Sequence, residues 1–495
     1  MSKKPLFKIL LIALIVIVIY KVLEVYGTKK VAFILKSEGI SYADLNIDFL
    51  GGDLELEDVI YTKDSMQFVA ENININDFSY YNYFSNKEIH LVDLEVVNAG
   101  ITGKLTQQKK GSVQIDSTKK SIISIINIEN IKVDNAQLSV KKKNGFPLKI
   151  NSIDIEIDEF RLDLNSSDKI PFTINNISSS VTNLETSLTE VQDFKVSRID
   201  LMNQNLVIDS LYILPTKNRK EYIHFVPKEQ ELMDLFTKKV EISNIKLEEQ
   251  DSLYVGIENI KIDETNFDLY LDATVLEHSK QHKNLYSKSL RELPFKLNVK
   301  TIDISNSVLT YEEFTKPGNN PGIIIFDELE AKITNVNNSY FKEEKETVAE
   351  IKAKFMKSSP LNIKWRFDIN DEEDEFRIYG SLFSLTSANM SSFLLPTMNV
   401  KVDGSIHRMY FDIEGNNYVS NGKMNMDYEH LQLKILDQDK HRKKVLSWVV
   451  NLFVKDESKK GLAHAEIKEV KRNQTKSFWN FLWLNIEHGL KKSLI

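Results

Sequence analysis

His278 and His282 stand four residues apart, the separation at which two imidazoles on one helical turn can share a metal ion. Ser, Lys and Gln lie between them, so the glutamate of a zinc-hydrolase frame is missing, and the surroundings are hydrophilic. The pair reads as solvated loop residues. The run Asp371-Glu372-Glu373-Asp374-Glu375 could ligate calcium, but it lacks the spaced alternation and turn glycine of a calcium loop and reads as a solvated hairpin tip. No nucleophile elbow, phosphate-binding glycine loop or dinucleotide fingerprint occurs, and only 17 glycines serve 495 residues. A carboxylate pair for glycoside chemistry is set by spatial separation and stays open, with nothing pointing to one. With no cysteine there are no disulfides, thiolate metal sites, cysteine nucleophiles or lipidated cysteines. These residues suggest no enzyme, no cofactor and no metal.

What remains is the chemistry of apolar surface, and the elements that position it are strands. Ile, Val, Asn, Thr, Tyr and Phe are frequent while Gly and Pro are sparse, a balance that favours sheet. Leu54-Glu55-Leu56-Glu57, Ile153-Asp154-Ile155-Glu156-Ile157 and Phe267-Asp268-Leu269-Tyr270-Leu271 alternate with period two, which puts apolar side chains on one face and polar ones on the other. Asn144-Gly145 and Asn421-Gly422 are two-residue hairpin signals, and antiparallel meanders follow from them. Two stretches break the pattern: 229–237, a short helix or crossing loop, and 276–290, an exposed excursion. At 495 residues the chain should form two or more domains or one elongated sheet. The net charge of −7 supplies no positive field for a phosphate backbone, so nucleic acid is not an expected partner.

A drifting repeat emerges from LVDLEVVNAGITG (91–103), IENIKVDNAQLSV (128–140), VSRIDLMNQNLVI (196–208) and VKTIDISNSVLTY (299–311). Apolar residues recur at the first, fourth, sixth and eleventh positions, and Asn98, Asn135, Asn203 and Asn306 occupy the eighth. A weaker copy, ISNIKLEEQDSLY (242–254), has Glu249 there. The asparagine marks a turn or bulge, because its side chain bonds nearby backbone and tolerates the left-handed region. The gaps between copies are unequal, so this is no strict solenoid.

The termini differ from the middle. Lys3, Lys4 and Lys8 precede the apolar run 9–19, which contains Ile9, Leu10, Leu11, Ile12, Leu14, Ile15, Val16, Ile17, Val18 and Ile19. No small-residue cleavage site follows, so the segment reads as an uncleaved transmembrane signal anchor, with the leading lysines held on the cytoplasmic side. At the other end, Val445 to Val454 includes Trp448 between basic clusters, and 477–494 places Phe478, Trp479 and Trp483 at helical spacing. Two readings stand: a membrane or partner interface, or a helix that covers an open sheet edge.

A long apolar face with helices only near its ends has two solutions: closure into a sandwich or barrel, or an open groove for apolar ligands. Groove-lining candidates are Leu91, Leu94, Val96, Ile128, Ile131, Val133, Leu138, Ile302, Ile304 and Leu309.

The anchor followed by GISYADLNIDFLGGDLELEDV, the segments LVIDSLYILPTKNRKEYIHF and LPFKLNVKTIDISNSVLTYEE, the run from SSPLNIKWRFDIND to GSIHRMYFDIEGNNYVSNGKMNMDYEHLQLKIL, and the ending SFWNFLWLNIEHGLKK together resemble the AsmA-like family of diderm bacteria, in particular its Bacteroidota-type members. The resemblance covers most of the chain. It implies a bacterial inner-membrane protein with one span, a cytoplasmic N-terminus and a periplasmic bulk. It also implies a curved sheet with an apolar interior and a role in moving phospholipid or in outer-membrane homeostasis, and the family offers no catalytic residues to carry over. The expected architecture is mainly β: an elongated, curved antiparallel β-sheet, groove-like, with an N-terminal transmembrane helix and C-terminal amphipathic helices. Its expected parts are an anchor (1–27), an N-terminal β-groove region (28–225), a connecting region (226–295), a C-terminal AsmA-like β region (296–440) and a helical membrane- or partner-facing segment (441–495). The expected partners are the inner membrane, phospholipids or other acylated lipids, and envelope proteins met through the C-terminal helix. The alternative function is an envelope scaffold that binds proteins through that helix.

Overall fold

The computed structural model describes residues 28–49, 51–105, 123–166, 170–249, 252–277, 280–339, 346–436 and 462–494. The anchor run 9–19, His278 and Trp448 lie outside the described residues. Among those residues no helix is long and apolar enough to cross a membrane.

The chain is mainly β and divides into two units, one of residues up to 188 with 194–208, the other of 189–193 with residues from 209 onward. The first opens with helix α1 (Thr28–Ser37) and continues through β1 (Ile40–Ser41), β2 (Asp44–Asp48), β3 (Asp53–Lys63), β4 (Met66–Asn76), β5 (Glu88–Val97), β6 (Gly100–Lys104), β7 (Ile125–Lys141), β8 (Pro147–Asp163), β9 (Phe172–Thr173) and β10 (Asn176–Thr189). Strands β11 (Gln192–Met202) and β12 (Asn205–Pro215) supply residues to both units. The second unit holds β13 (Leu232–Ser243), β14 (Lys246–Glu249), β15 (Leu253–Asp272), α2 (Tyr286–Arg291), β16 (Lys296–Phe314), β17 (Gly322–Asn337), β18 (Glu346–Phe355), β19 (Ser359–Asp368), β20 (Phe376–Thr386), α3 (Ser387–Met398), β21 (Val400–Gly415), β22 (Val419–Ile435), β23 (Ala463–Lys471) and α4 (Phe478–Leu494).

The pairing is mixed, which corrects the expectation of a purely antiparallel sheet. β5 and β6 run parallel to β7, and β15 runs parallel to β16. Parallel neighbours need a crossover of a dozen residues or more. The excursion between β15 and β16 is long enough to return the chain to the same end of the sheet, and it carries α2 on the way. Part of that excursion is packed: Leu285 is 3% and Ser287 2% exposed. Residues 229–237 are not a helix, since β13 begins at Leu232 and pairs with β15, Met233 opposite Leu269 and Leu235 opposite Phe267.

The two Asn-Gly signals part company. Asn144-Gly145 turns β7 into β8, with Gly145 at φ +86° and Lys142 N–H donating to Phe146 O at 2.7 Å. Asn421-Gly422 is no turn and lies inside β22, with Gly422 paired to Ile413 on one side and Ile467 on the other. A Cβ on Gly422 would stand 2.4 Å from Asp412 O, so the glycine serves close strand approach.

All four repeat asparagines hold positive φ: Asn98 at 49°, Asn135 at 53°, Asn203 at 52° and Asn306 at 50°. In β7 and β16 the strand runs on through a bulge, with the register shifting at Val133/Ala136 and Ile304/Ser307. At Asn98 and Asn203 the strand breaks, into β5 and β6 and into β11 and β12. In the weak copy the left-handed residue is Asn244, not Glu249.

Candidate functional site

Side chains of directly paired residues point to the same face of a sheet, so the registers show how apolar residues line up across strands. In the second unit one row runs Ile242, Ile260, Ile302, Ile333, Ala349, Trp365, Ile378, Ile413. A parallel row runs Val240, Ile262, Ile304, Ala331, Ile351, Ile363, Gly380, Phe411, and a shorter one Leu235, Phe267, Leu309, Phe326, Phe355. Gly380 belongs to its row for a steric reason: a Cβ there would stand 1.9 Å from the ring of Phe411. In the first unit Leu54, Ile75, Leu94, Ile131, Ile157 and Ile177 form one row, and Phe68, Ile101, Leu138, Ile150 and Leu184 another.

The rows Leu54–Ile177 and Ile242–Ile413 are each covered at one end. In the first unit Val31 and Leu35 of α1 and the side chains of Phe78 and Tyr83 share a packed cluster with Leu54, Ile75 and Leu94. Farther along the same row Ile131, Ile157 and Ile177 are half-buried. In the second unit α4 lies on the face: Phe478 stacks on Trp365 with centroids 5.0 Å apart, and Phe481 is 1% exposed against Phe376. Ile378 and Ile413 are sealed beneath that cluster, whereas Ile242, Ile260, Ile302 and Ile333 are half-buried. The sequence explains why α4 sits there. Ser477 caps it by accepting from Asn480 N–H at 3.2 Å, and Gly489 lets it approach Met424, which an added Cβ would meet at 2.6 Å. The buried Asn485 is satisfied, accepting from Ser420 Oγ at 2.8 Å and donating to Phe481 O at 2.9 Å.

The ten groove candidates therefore fall into two groups. Leu91 (0% exposed), Leu94 (7%) and Ile128 (1%) belong to the packed core and are not free to meet a ligand. Val96, Ile131, Val133, Leu138, Ile302, Ile304 and Leu309 are half-buried. Of the C-terminal candidates, Phe478 is spent on the sheet, Trp483 meets Phe393 at 6.4 Å, and Trp479 is 51% exposed while touching Trp365. The helix lies over one end of the face.

Polar chemistry is concentrated at the bulges and on the opposite face. Asn306 and Ser305 both donate to Asp263, at 2.8 and 2.7 Å, and these hydrogen bonds, Ser305's first, hold its carboxyl below the ordinary range. Thr237, Thr265 and Ser307 form a small hydrogen-bonded seam between two apolar rows. In the first unit Asn135 donates to Asn98 at 2.7 Å and Asn98 to Glu71. Lys364 pairs with Glu350 in an exposed pair that contributes little to stability, while Arg377 grips Asp412 through two hydrogen bonds at 2.9 and 2.7 Å in a half-buried pair.

Where the apolar core thins, tyrosines close the rim of the second unit. Tyr222 accepts from Asp272 N–H at 2.9 Å, and burial pushes its hydroxyl up to about 12; burial also raises Tyr311. Arg219 spans to Glu312 and lies over the Tyr270 ring at 4.8 Å. These groups are consistent with a strap that fixes the loop after β12. The acidic run is less solvated than its composition suggests, because Asp374 is 3% exposed and accepts from Arg291 and Ser287, both at 2.8 Å. Chemically, the half-open rows offer non-directional apolar contact and no fixed polar anchor. No protein-family model matches the chain, and no curated protein matches it significantly.

Proposed function

We propose that the chain is a membrane-anchored, non-enzymatic lipid-handling protein of the AsmA-like kind, which holds phospholipid acyl chains against the open rows of its apolar sheet face while head groups stay in water. In this reading residues 1–27 anchor it in a bacterial inner membrane, the sheet lies in the periplasm, and its open stretches are lengths of groove that support outer-membrane homeostasis. The observation that carries the proposal is the gradient along the rows Leu54–Ile177 and Ile242–Ile413, from sealed under a helix to half-buried within the same set of paired residues. Transfer of an acyl chain from water gains about 0.8 kcal/mol per methylene, so a partly open apolar row is a strong enough host without any polar contact. The scaffold alternative is less favoured because α4 commits Phe478 and Phe481 to the sheet.

The test is lipid recovery. Mass spectrometry of the full chain purified from membranes should find phospholipid bound to the wild type. The double substitution Ile131→Asp with Ile304→Asp should lose it while the protein stays folded, since an open face tolerates charge better than a packed core. Ile128→Asp, by contrast, should unfold the first unit. A wild type that carries no lipid, or a double variant that unfolds as Ile128→Asp does, would refute the reading.

A further inference from the structure

The α1 end of the first unit exposes aromatic surface that the core does not use. Phe33 is 69%, Tyr81 74%, Phe84 45% and Phe49 38% exposed, half of the strongly exposed aromatic side chains among the described residues. Their neighbours are buried: Val31 and Leu35 on α1 are 0% exposed and Tyr83 is 4%. At about 100° per residue, Phe33 is turned to the opposite side of α1 from Val31 and Leu35. The other segments are bolted together at the same end. Phe78 N–H donates to Gly52 O at 3.1 Å, Gly52 holds φ +84° where a Cβ would press on the Phe78 backbone at 2.9 Å, and Tyr80 Oη donates to Phe49 O at 3.0 Å. The π-helical turn Asn82–Asn86 then turns Tyr83 inward and leaves Tyr81 and Phe84 outside.

We infer that this end seats in the interfacial zone of a lipid bilayer, with Phe33, Tyr81 and Phe84 as its aromatic contacts; the inference rests on the reading of residues 1–27 as a membrane anchor. The argument for a bilayer over a protein partner is position. α1 begins about nine residues beyond the apolar run, at most ~30 Å of extended chain, so this end cannot stand far from the membrane surface. Tyr81 joins an apolar ring to a polar hydroxyl, which favours that zone, and Phe33 and Phe84 supply apolar area for the head-group boundary. The exposed Lys29, Lys36 and Lys87 flank the rings and suit anionic head groups, while Glu38 tempers the charge, so aromatic area is the main contribution.

The absence of cysteine permits a clean test. Full-length chains carrying Phe33→Cys, Tyr81→Cys or Phe84→Cys, with Leu188→Cys and Met202→Cys as exposed controls, are labelled with a nitroxide and reconstituted into phosphatidylethanolamine–phosphatidylglycerol vesicles. The ratio of collisions with oxygen to collisions with a water-soluble nickel chelate should rise several-fold at the three test sites over the controls. Labels as open to nickel as the controls, in a chain that floats with the vesicles, would overturn the inference and leave the anchor standing. Shielding from both reagents would mean a protein partner, which also overturns it. A chain that does not float removes the anchor reading and the inference with it.

Discussion

Asn306 does two things at one position. It adopts φ 50°, which lets β16 take in an extra residue, and its side-chain amide fixes Asp263 on the neighbouring strand. Alanine can do neither, and the left-handed conformation costs a residue with a plain Cβ roughly 1–2 kcal/mol. Asn306→Ala should therefore lower the unfolding free energy of the second unit by about 1–2 kcal/mol, whereas Asn306→Gly should recover the backbone part, as read from urea denaturation midpoints. Equal losses for both variants would place the cost in the hydrogen bond alone. The asparagines were legible in the sequence because the left-handed region accepts few residue types, so their spacing carries a backbone requirement. The exposure of the apolar positions was not legible. Ile128 and Ile302 begin or follow the same frame, yet one is sealed and the other half-buried, because burial depends on which helix or strand lies above.

Among the elements, α4 decides where the face is closed. Gly489 sets its approach, and Met424 beneath it is a flexible side chain, so a small addition can be absorbed while a ring cannot. Gly489→Phe should lift the C-terminal half of α4 and uncover part of the row at Ile413 and Ile467, raising the fluorescence of a surface-binding hydrophobic dye several-fold without loss of β circular dichroism. Unchanged dye binding would mean that α4 is not the cover. Element type was only partly written in the sequence. Alternation announced strands, but 229–237 breaks the alternation and suits a short helix or crossing loop, and only pairing with β15 shows it to be a strand from Leu232. Asn421-Gly422 misled in the same way: a dipeptide that favours a turn was placed in a strand by the tight packing of Asp412 and Ile413 against it. The parallel pairs were beyond reach, since a period of two does not tell parallel from antiparallel neighbours.

At the scale of the whole chain, each unit repeats one plan, a row of paired apolar side chains sealed by a helix at one end and half-open elsewhere. The polar outer face, with Lys364–Glu350 and Arg366–Glu346 on it, keeps the sheet in water. The claim that matters is that acyl chains lie on the apolar face and not on the other. A photoreactive amino acid placed one position at a time in the full-length chain tests this directly, at Ile260, Ile304 and Leu309 on the apolar face and at Lys261, Asp303 and Lys332 on the polar face. On irradiation in membranes the first three should yield lipid adducts by mass spectrometry and the second three should not. Adducts from both faces alike, or none from Ile260, Ile304 and Leu309, would contradict the account.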